Sequence, residues 1–137
     1  MSNLFVYGTL LSQYRNPHTD IVECHSRHSS LTGLHYTQGW IDDFVLYWPP
    51  ELMFPFIAPC KGKKVFGELY YDLDSVKLNE LDIIEYVPFG YFERIIVKIH
   101  IKNGIENAFT YIGGNILRKR FGNDSNYEYV TILEHTL

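Results

Sequence analysis

A chain of 137 residues with 46% hydrophobic composition can bury one sizeable core and leaves little room for another, so a single domain over residues 1–137 is expected. Sixteen acidic residues against 12 basic ones leave a net charge of −4, which argues against a nucleic-acid partner, for which a basic stripe is expected. Cys24 and Cys60 are too few for a disulfide framework, and no apolar run approaches the roughly 20 residues that cross a bilayer; a cytoplasmic protein with free thiols and no membrane partner is the expectation. Aromatics are plentiful, with 11 Tyr, 9 Phe and 2 Trp, and they favour sheets with amphipathic pockets.

The chain opens on Leu4-Phe5-Val6-Tyr7, an apolar run suited to a buried strand, and stops at Gly8-Thr9-Leu10. Gly8 permits a close approach that a side chain would obstruct, and consecutive backbone N–H groups in such a turn can form a concave donor site for an anion or carbonyl oxygen. The competing reading is an ordinary strand end. Asn16-Pro17 reads as a helix start, giving a short surface helix over roughly residues 17–26. Strands are expected over Ser29–Tyr36, with a bulge at Gly33, and near Asp43–Trp48. Pro49, Pro50, Pro55 and Pro59 then fall in quick succession and predict a long aromatic loop whose Trp48, Phe54 and Phe56 could cover a pocket.

Lys64–Tyr71 returns to strand, and Gly67 in its middle implies close packing against a neighbour. Asp74 or Ser75 caps a helix running to about Tyr86, ended by Pro88 and Gly90. Ile95, Val97, Ile99 and Ile101 alternate with largely polar residues, Asn103-Gly104 signals a hairpin, and Ile105–Ile112 runs back as the partner strand until Gly113-Gly114. Tyr127–His135 fits a last strand, although Asp124-Ser125 could equally cap a helix. The sum is an α+β fold: a mostly antiparallel sheet of six or seven strands, curled to a barrel, with two or three helices. The basic runs Lys61-Gly62-Lys63-Lys64 and Arg118-Lys119-Arg120 read as solvated loop or sheet edge.

Candidate chemistry begins on the helix after Asp74. Stepping i, i+3 and i+7 from Leu78 gives Leu78, Leu81 and Glu85, so the carboxylate shares a stripe with two leucines. Turned inward it either pairs with a cation or acquires a raised pKa, as a general base or acid near neutral pH requires; in a frayed last turn it would swing to water instead. Cys24-His25 with His28 supplies too few ligands for a metal site, so none is assigned. No Gly-x-Ser-x-Gly elbow, phosphate loop or dinucleotide fingerprint occurs.

Phe5-Val6-Tyr7-Gly8-Thr9-Leu10, Val65-Phe66-Gly67-Glu68-Leu69-Tyr70 and Leu81-Asp82-Ile83-Ile84-Glu85 together resemble, in order and spacing, the γ-glutamylcyclotransferase superfamily, in particular its γ-glutamylamine cyclotransferase and AIG2-like members. The resemblance spans roughly residues 4–112. It implies a small β-barrel with helices, a small-molecule γ-glutamyl substrate, no metal or organic cofactor, and intramolecular cyclisation to 5-oxoproline. It also implies Glu85 as the catalytic acid/base, with Tyr7, Gly8, Thr9 and Leu10 holding the γ-glutamyl group. The family's Tyr-x-Arg strand corresponds to Tyr91-Phe92-Glu93-Arg94, so either Phe92 replaces the tyrosine or one residue is inserted and Tyr91 binds substrate; Tyr111 is a further candidate lining residue. Tyr86 stands where many members carry glycine. Two other readings are a non-catalytic small-ligand module on the same fold and an interaction domain working through the proline-rich loop.

Overall fold

The computed structural model describes residues 1–122 and 124–129. Strand β1 covers Ser2–Val6, β2 Tyr14–Arg15 and β3 Val22–Glu23; β4 is Tyr36–Tyr47 and β5 Phe56–Leu73. Helix α1 is Ser75–Ile84, followed by β6 (Phe92–Ile101), β7 (Gly104–Gly113) and α2 (Asn115–Phe121). Short 3₁₀ helices lie at Ser26–Leu31, Val87–Phe89 and Ser125–Tyr127. The fold is α+β around a mixed five-stranded sheet that closes on itself in the order β1-β5-β4-β6-β7, while β2 and β3 form a separate ribbon. Pairing is antiparallel except where β7 meets β1, Leu4 lying opposite Phe109 and Phe5 opposite Thr110.

The barrel has five strands rather than six or seven, because Ser29–Tyr36 adds none and the predicted strand from Tyr127 adds none among the described residues. One long β4 replaces the late strand near Asp43–Trp48 and accommodates a register shift between Asp42 and Phe44, where Asp43 takes φ 64° and its Oδ1 accepts from Gly62 N at 2.9 Å. β5 begins at Phe56 and carries exposed Pro59 within it, so the proline-rich loop ends earlier than predicted. Ser29–Tyr36 is not a strand of its own: Ser29–Leu31 ends a 3₁₀ helix and only Tyr36 belongs to β4. No α-helix occupies 17–26. Asn16 closes a side-chain turn instead of capping a helix, its Oδ1 accepting from His18 N at 2.8 Å; Asn16 N then bonds Ile21 O and the chain returns as β3. Ile21 and Val22, the residues that helix needed to bury, are exposed.

Helix α1 starts at its expected cap, Asp74 Oδ1 accepting from Lys77 N at 2.8 Å, and ends at Ile84. α2 was not foreseen; its seven residues bury Leu117 and Phe121, one turn apart. Its last turn holds the basic run Arg118–Arg120, at the end of the helix where cations are favoured, and Arg118 reaches Glu93 at 3.4 Å. In the β6–β7 hairpin Ile101 pairs with Gly104, so the loop is Lys102-Asn103. Of the predicted terminal strand, Tyr127 closes a 3₁₀ helix capped by Asp124 and Glu128 bridges to Tyr47; residues 130–137 lie outside the described residues.

Alternation along β1 explains its unbroken apolar run, since both faces are buried. Phe5 and Tyr7 join Ile41, Ile57, Leu69, Ile99 and Ala108 in a cluster drawn from the barrel strands and from no helix, which is the barrel interior. Leu4 and Val6 join Leu78 and Leu81 of α1 and Leu117 and Phe121 of α2 in a second cluster between sheet and helices. Gly67 is glycine because a Cβ there would collide with the Val6 carbonyl oxygen and the Phe5 ring. Among the described residues no helix is long and apolar enough to cross a membrane.

Candidate active site

Where β1 leaves the barrel, the chain turns at Gly8, with Leu11 N donating to Gly8 O at 2.9 Å. Pro55 packs on this turn so closely that a Cβ on Gly8 would stand 2.5 Å from Pro55 Cγ. Three further contacts fix the turn. Glu68, a buried carboxylate on β5, accepts from Ser12 N at 2.7 Å and Ser12 Oγ at 2.5 Å, and also from the Tyr70 hydroxyl at 3.1 Å. The His28 ring meets Leu10 O at 3.0 Å. The Tyr7 hydroxyl donates to Tyr111 O. Among the described residues the amides of Thr9 and Leu10 donate to no protein acceptor, although both residues are buried.

Glu85 caps the C-terminus of α1 and is 5% exposed; Leu78 and Leu81 on the same stripe are equally buried, so the carboxylate does not swing to water. Burial pushes its pKa from an ordinary carboxylate value to about 7, with the Arg27 guanidinium pulling the other way. Arg27 Nη1 stands 3.9 Å from Glu85 Oε2, beyond hydrogen-bond reach. The residue after Glu85, Tyr86, is left-handed at φ 53°, ψ 36°, the conformation glycine adopts without steric cost, which accounts for the preference at that position.

Asp82, one turn before Glu85, accepts from the Tyr111 hydroxyl at 2.8 Å and lies 3.5 Å from Arg94 Nε, tying α1 to both β6 and β7. Burial raises the Tyr111 pKa, and the hydrogen bond to Asp82 adds to it; burial and the charge of Glu85 raise that of Tyr7. Both phenols stay neutral and engaged with the protein.

These parts meet in one cleft, open to solvent, bounded by the Phe5–Leu10 segment, Glu85, Tyr111, Arg27, Pro55 and the ring pair Phe54–Phe92. Of the candidate residues, Tyr7, Gly8, Thr9, Leu10, Glu85 and Tyr111 are thus together. Tyr91 is not: it is 39% exposed and lines another cavity with Leu52, Leu117 and Arg120, while Phe92 faces the cleft. His25 and His28 serve local hydrogen bonds, His25 Nδ1 accepting from Arg27 N at 3.1 Å. Phe54 was expected to cover a pocket and lines this one, whereas Arg27 and Glu68 were not singled out for the site from the sequence. Glu68 was detectable as the one charged residue in the run Val65–Tyr71, whereas nothing in the run Cys24–Ser30 marks Arg27.

The molecule is thus a small mixed barrel with one cleft lined by both the buried Glu85 and the Tyr7–Leu10 turn. The chain belongs to the family described as "Gamma-glutamyl cyclotransferase, AIG2-like", which its sequence matches over residues 4–129. No curated protein matches the sequence. Among solved structures, an Arabidopsis thaliana protein studied in solution superposes with a TM-score of 0.65 at 19% identity, covering 98% of this chain and 79% of its own. An AIG2-like protein from Mus musculus gives 0.64 at 21% identity, with 93% and 82% covered. A structure titled "Gamma-glutamyl cyclotransferase" gives 0.63 at 20% identity, with 83% and 67% covered.

Proposed function

We propose that this chain is a γ-glutamyl cyclotransferase, converting the γ-glutamyl group of a γ-glutamyl amine or amino acid to 5-oxoproline and releasing the amine. The observation that carries the reading is the buried Glu85 carboxyl, titrating near 7, in one cleft with the Tyr7–Leu10 turn. Family membership supports the same substrate class.

In this reading the free amides of Thr9 and Leu10 hold the substrate's α-carboxylate, and the rings of Tyr7 and Tyr111 wall the γ-glutamyl chain into a bent form. The α-ammonium gives a proton to the Glu85 carboxylate, and the freed amine attacks the γ-carbonyl carbon, forming the ring C–N bond. Glu85 returns its proton to the leaving nitrogen, whose bond to the γ-carbon breaks, then takes the second proton from the ring nitrogen and passes it to the released amine, which departs as an ammonium and leaves Glu85 a carboxylate. No water enters the products. Nucleophile and electrophile belong to one molecule, so the site need only fold them together, which supplies much of the acceleration. A carboxyl near 7 is half ionised at neutral pH and can both take and return the proton.

The test is incubation of the purified chain with a panel of γ-glutamyl amines and amino acids, following 5-oxoproline and released amine. Equimolar appearance of the two is expected. Tight binding of one compound without product would instead make the cleft a non-catalytic ligand site.

A further inference from the structure

Arg27 is the one cation among the described residues lining the cleft. Its side chain is three-quarters buried, with the guanidinium 5.7 Å from the centre of the Phe54 ring and 3.9 Å from Glu85 Oε2. The charge is partly removed from water while its nearest anion stays beyond hydrogen-bond distance, and a guanidinium fork so held matches a carboxylate bidentately.

We propose that Arg27 is a specificity-determining receptor for a carboxylate on the leaving amine, so that this chain prefers γ-glutamyl α-amino acids to γ-glutamyl amines. The inference rests on the cyclotransferase reading, because that reading makes Glu85 touch two substrate nitrogens in turn, the attacking one and the leaving one. In a γ-glutamyl α-amino acid each of those nitrogens sits on a carbon that bears a carboxylate. The cleft offers two anion receptors on different segments: the Thr9–Leu10 amides after β1, and Arg27 on the 3₁₀ helix Ser26–Leu31. A substrate with only the α-carboxylate would leave one of them unused. Beside Glu85, Arg27 lies within reach of whatever group is carried next to the nitrogen that Glu85 protonates. The Phe54–Phe92 pair, with ring centres 5.6 Å apart, gives the adjoining apolar wall for the leaving residue's side chain. A leaving chain bearing an ammonium at that place would meet the like charge of Arg27.

The experiment compares γ-glutamylalanine with γ-glutamylethylamide, which differ by that one carboxylate, using kcat/KM for the wild type, Arg27→Met and Arg27→Lys, and calorimetric binding of both compounds to Glu85→Gln. Wild type is expected to favour γ-glutamylalanine about tenfold or more, as a charge-assisted pair gives. Arg27→Met should bring the ratio close to one, and Arg27→Lys should keep part of it, since the charge remains and the fork does not. The ratio cancels any effect of Arg27 on the titration of Glu85, which both substrates share. A wild-type ratio near one, or a ratio that neither variant changes, overturns the assignment of Arg27 and leaves the cyclotransferase reading standing. Absence of 5-oxoproline from both compounds overturns that reading, and the binding ratio on Glu85→Gln then decides Arg27 alone: a tenfold preference keeps it as a carboxylate receptor, equal binding removes it. Should Arg27→Met fail to fold, Arg27→Lys and the wild-type ratio carry the same decision.

Discussion

Glu85 carries opposite consequences for stability and for chemistry. Its folded-state pKa, about 7, lies above the ordinary value of 4.5, so ionisation costs the folded chain more than the unfolded one. Stability contributed by the neutral acid is complete below about 4.5, declines as pH rises to about 7, and is then flat; the shift corresponds to ~3 kcal/mol at about 1.4 kcal/mol for each pKa unit. Glu85→Gln should therefore raise Tm at pH 8 relative to the wild type and change it little at pH 4, as thermal unfolding at the two pH values will read. Arg27 works against burial, so Arg27→Met should move the acid limb of the kcat/KM profile upward from near pH 7. Tyr86 holds a left-handed backbone that glycine adopts freely, yet its ring also lies beside Phe89 and Tyr91. Those rings are exposed, so backbone relief outweighs their contacts and Tyr86→Gly should stabilise by about 0.5–1 kcal/mol, as chemical denaturation will measure. The inward stripe Leu78-Leu81-Glu85 was legible because helical periodicity alone puts the carboxylate on it. Arg27 was not, because its role depends on a 3₁₀ turn that no periodicity announces.

The elements around the cleft are joined by buried polar contacts. Asp82 on α1 holds Tyr111 of β7 and Arg94 of β6, which fixes the helix end that presents Glu85; Glu68 on β5 holds the loop after the donor turn through Ser12. Glu68→Ala should cost about 1–3 kcal/mol, since it leaves Ser12 and Tyr70 without their acceptor, and should raise KM more than it lowers kcat. Steady-state kinetics beside a denaturation curve separates the two effects. Strands β6 and β7 were legible through strict alternation and the Asn103-Gly104 signal, and α1 through Asp74. The segment 16–31 was misread for a physical reason: the Asn16 side chain bonds the amide two residues on in a turn as readily as at a helix start, and Ile21 and Val22 give a helix too little to bury, so the chain doubles back as a ribbon. α2 went unseen because two apolar residues one turn apart, Leu117 and Phe121, make too short a pattern to register, although they suffice once β7 delivers the chain to the core.

The whole barrel depends on unequal seams. β4 and β5 pair along most of their length, whereas β4 and β6 share only Gly39 opposite Ile101 and Trp40 opposite His100. That seam is reinforced by His100 Nε2 at 2.9 Å from Asp42 Oδ2 and by the stacked rings of Trp40 and His100. A Cβ on Gly39 would stand 2.6 Å from the His100 carbonyl oxygen, so Gly39→Ala should push the strands apart. Amide exchange at residues 39–42 and 99–101 should accelerate well before exchange at the β4–β5 pairing does. Closure matters for the cleft because the opposite seam, where Thr110 Oγ1 bonds Phe5 O at 2.9 Å, sets Tyr111 beside Tyr7. Closure itself was foreseen in kind but not in number, because Leu31 and Leu34 imitate a strand where the chain makes a 3₁₀ turn, while β4 and β5 each run beyond the stretch predicted for them, through the bulge at Asp42–Phe44 and through Pro59.

The central claim is that Glu85 moves the proton in a cyclisation whose substrate the Tyr7–Leu10 turn holds. The most direct measurement is the rate of 5-oxoproline formation by Glu85→Gln against wild type at pH 7, on protein whose circular dichroism matches. The account predicts a loss of at least about 100-fold, the contribution of a positioned general acid–base group, with binding of the γ-glutamyl compound retained. Equal turnover by the two proteins would contradict it.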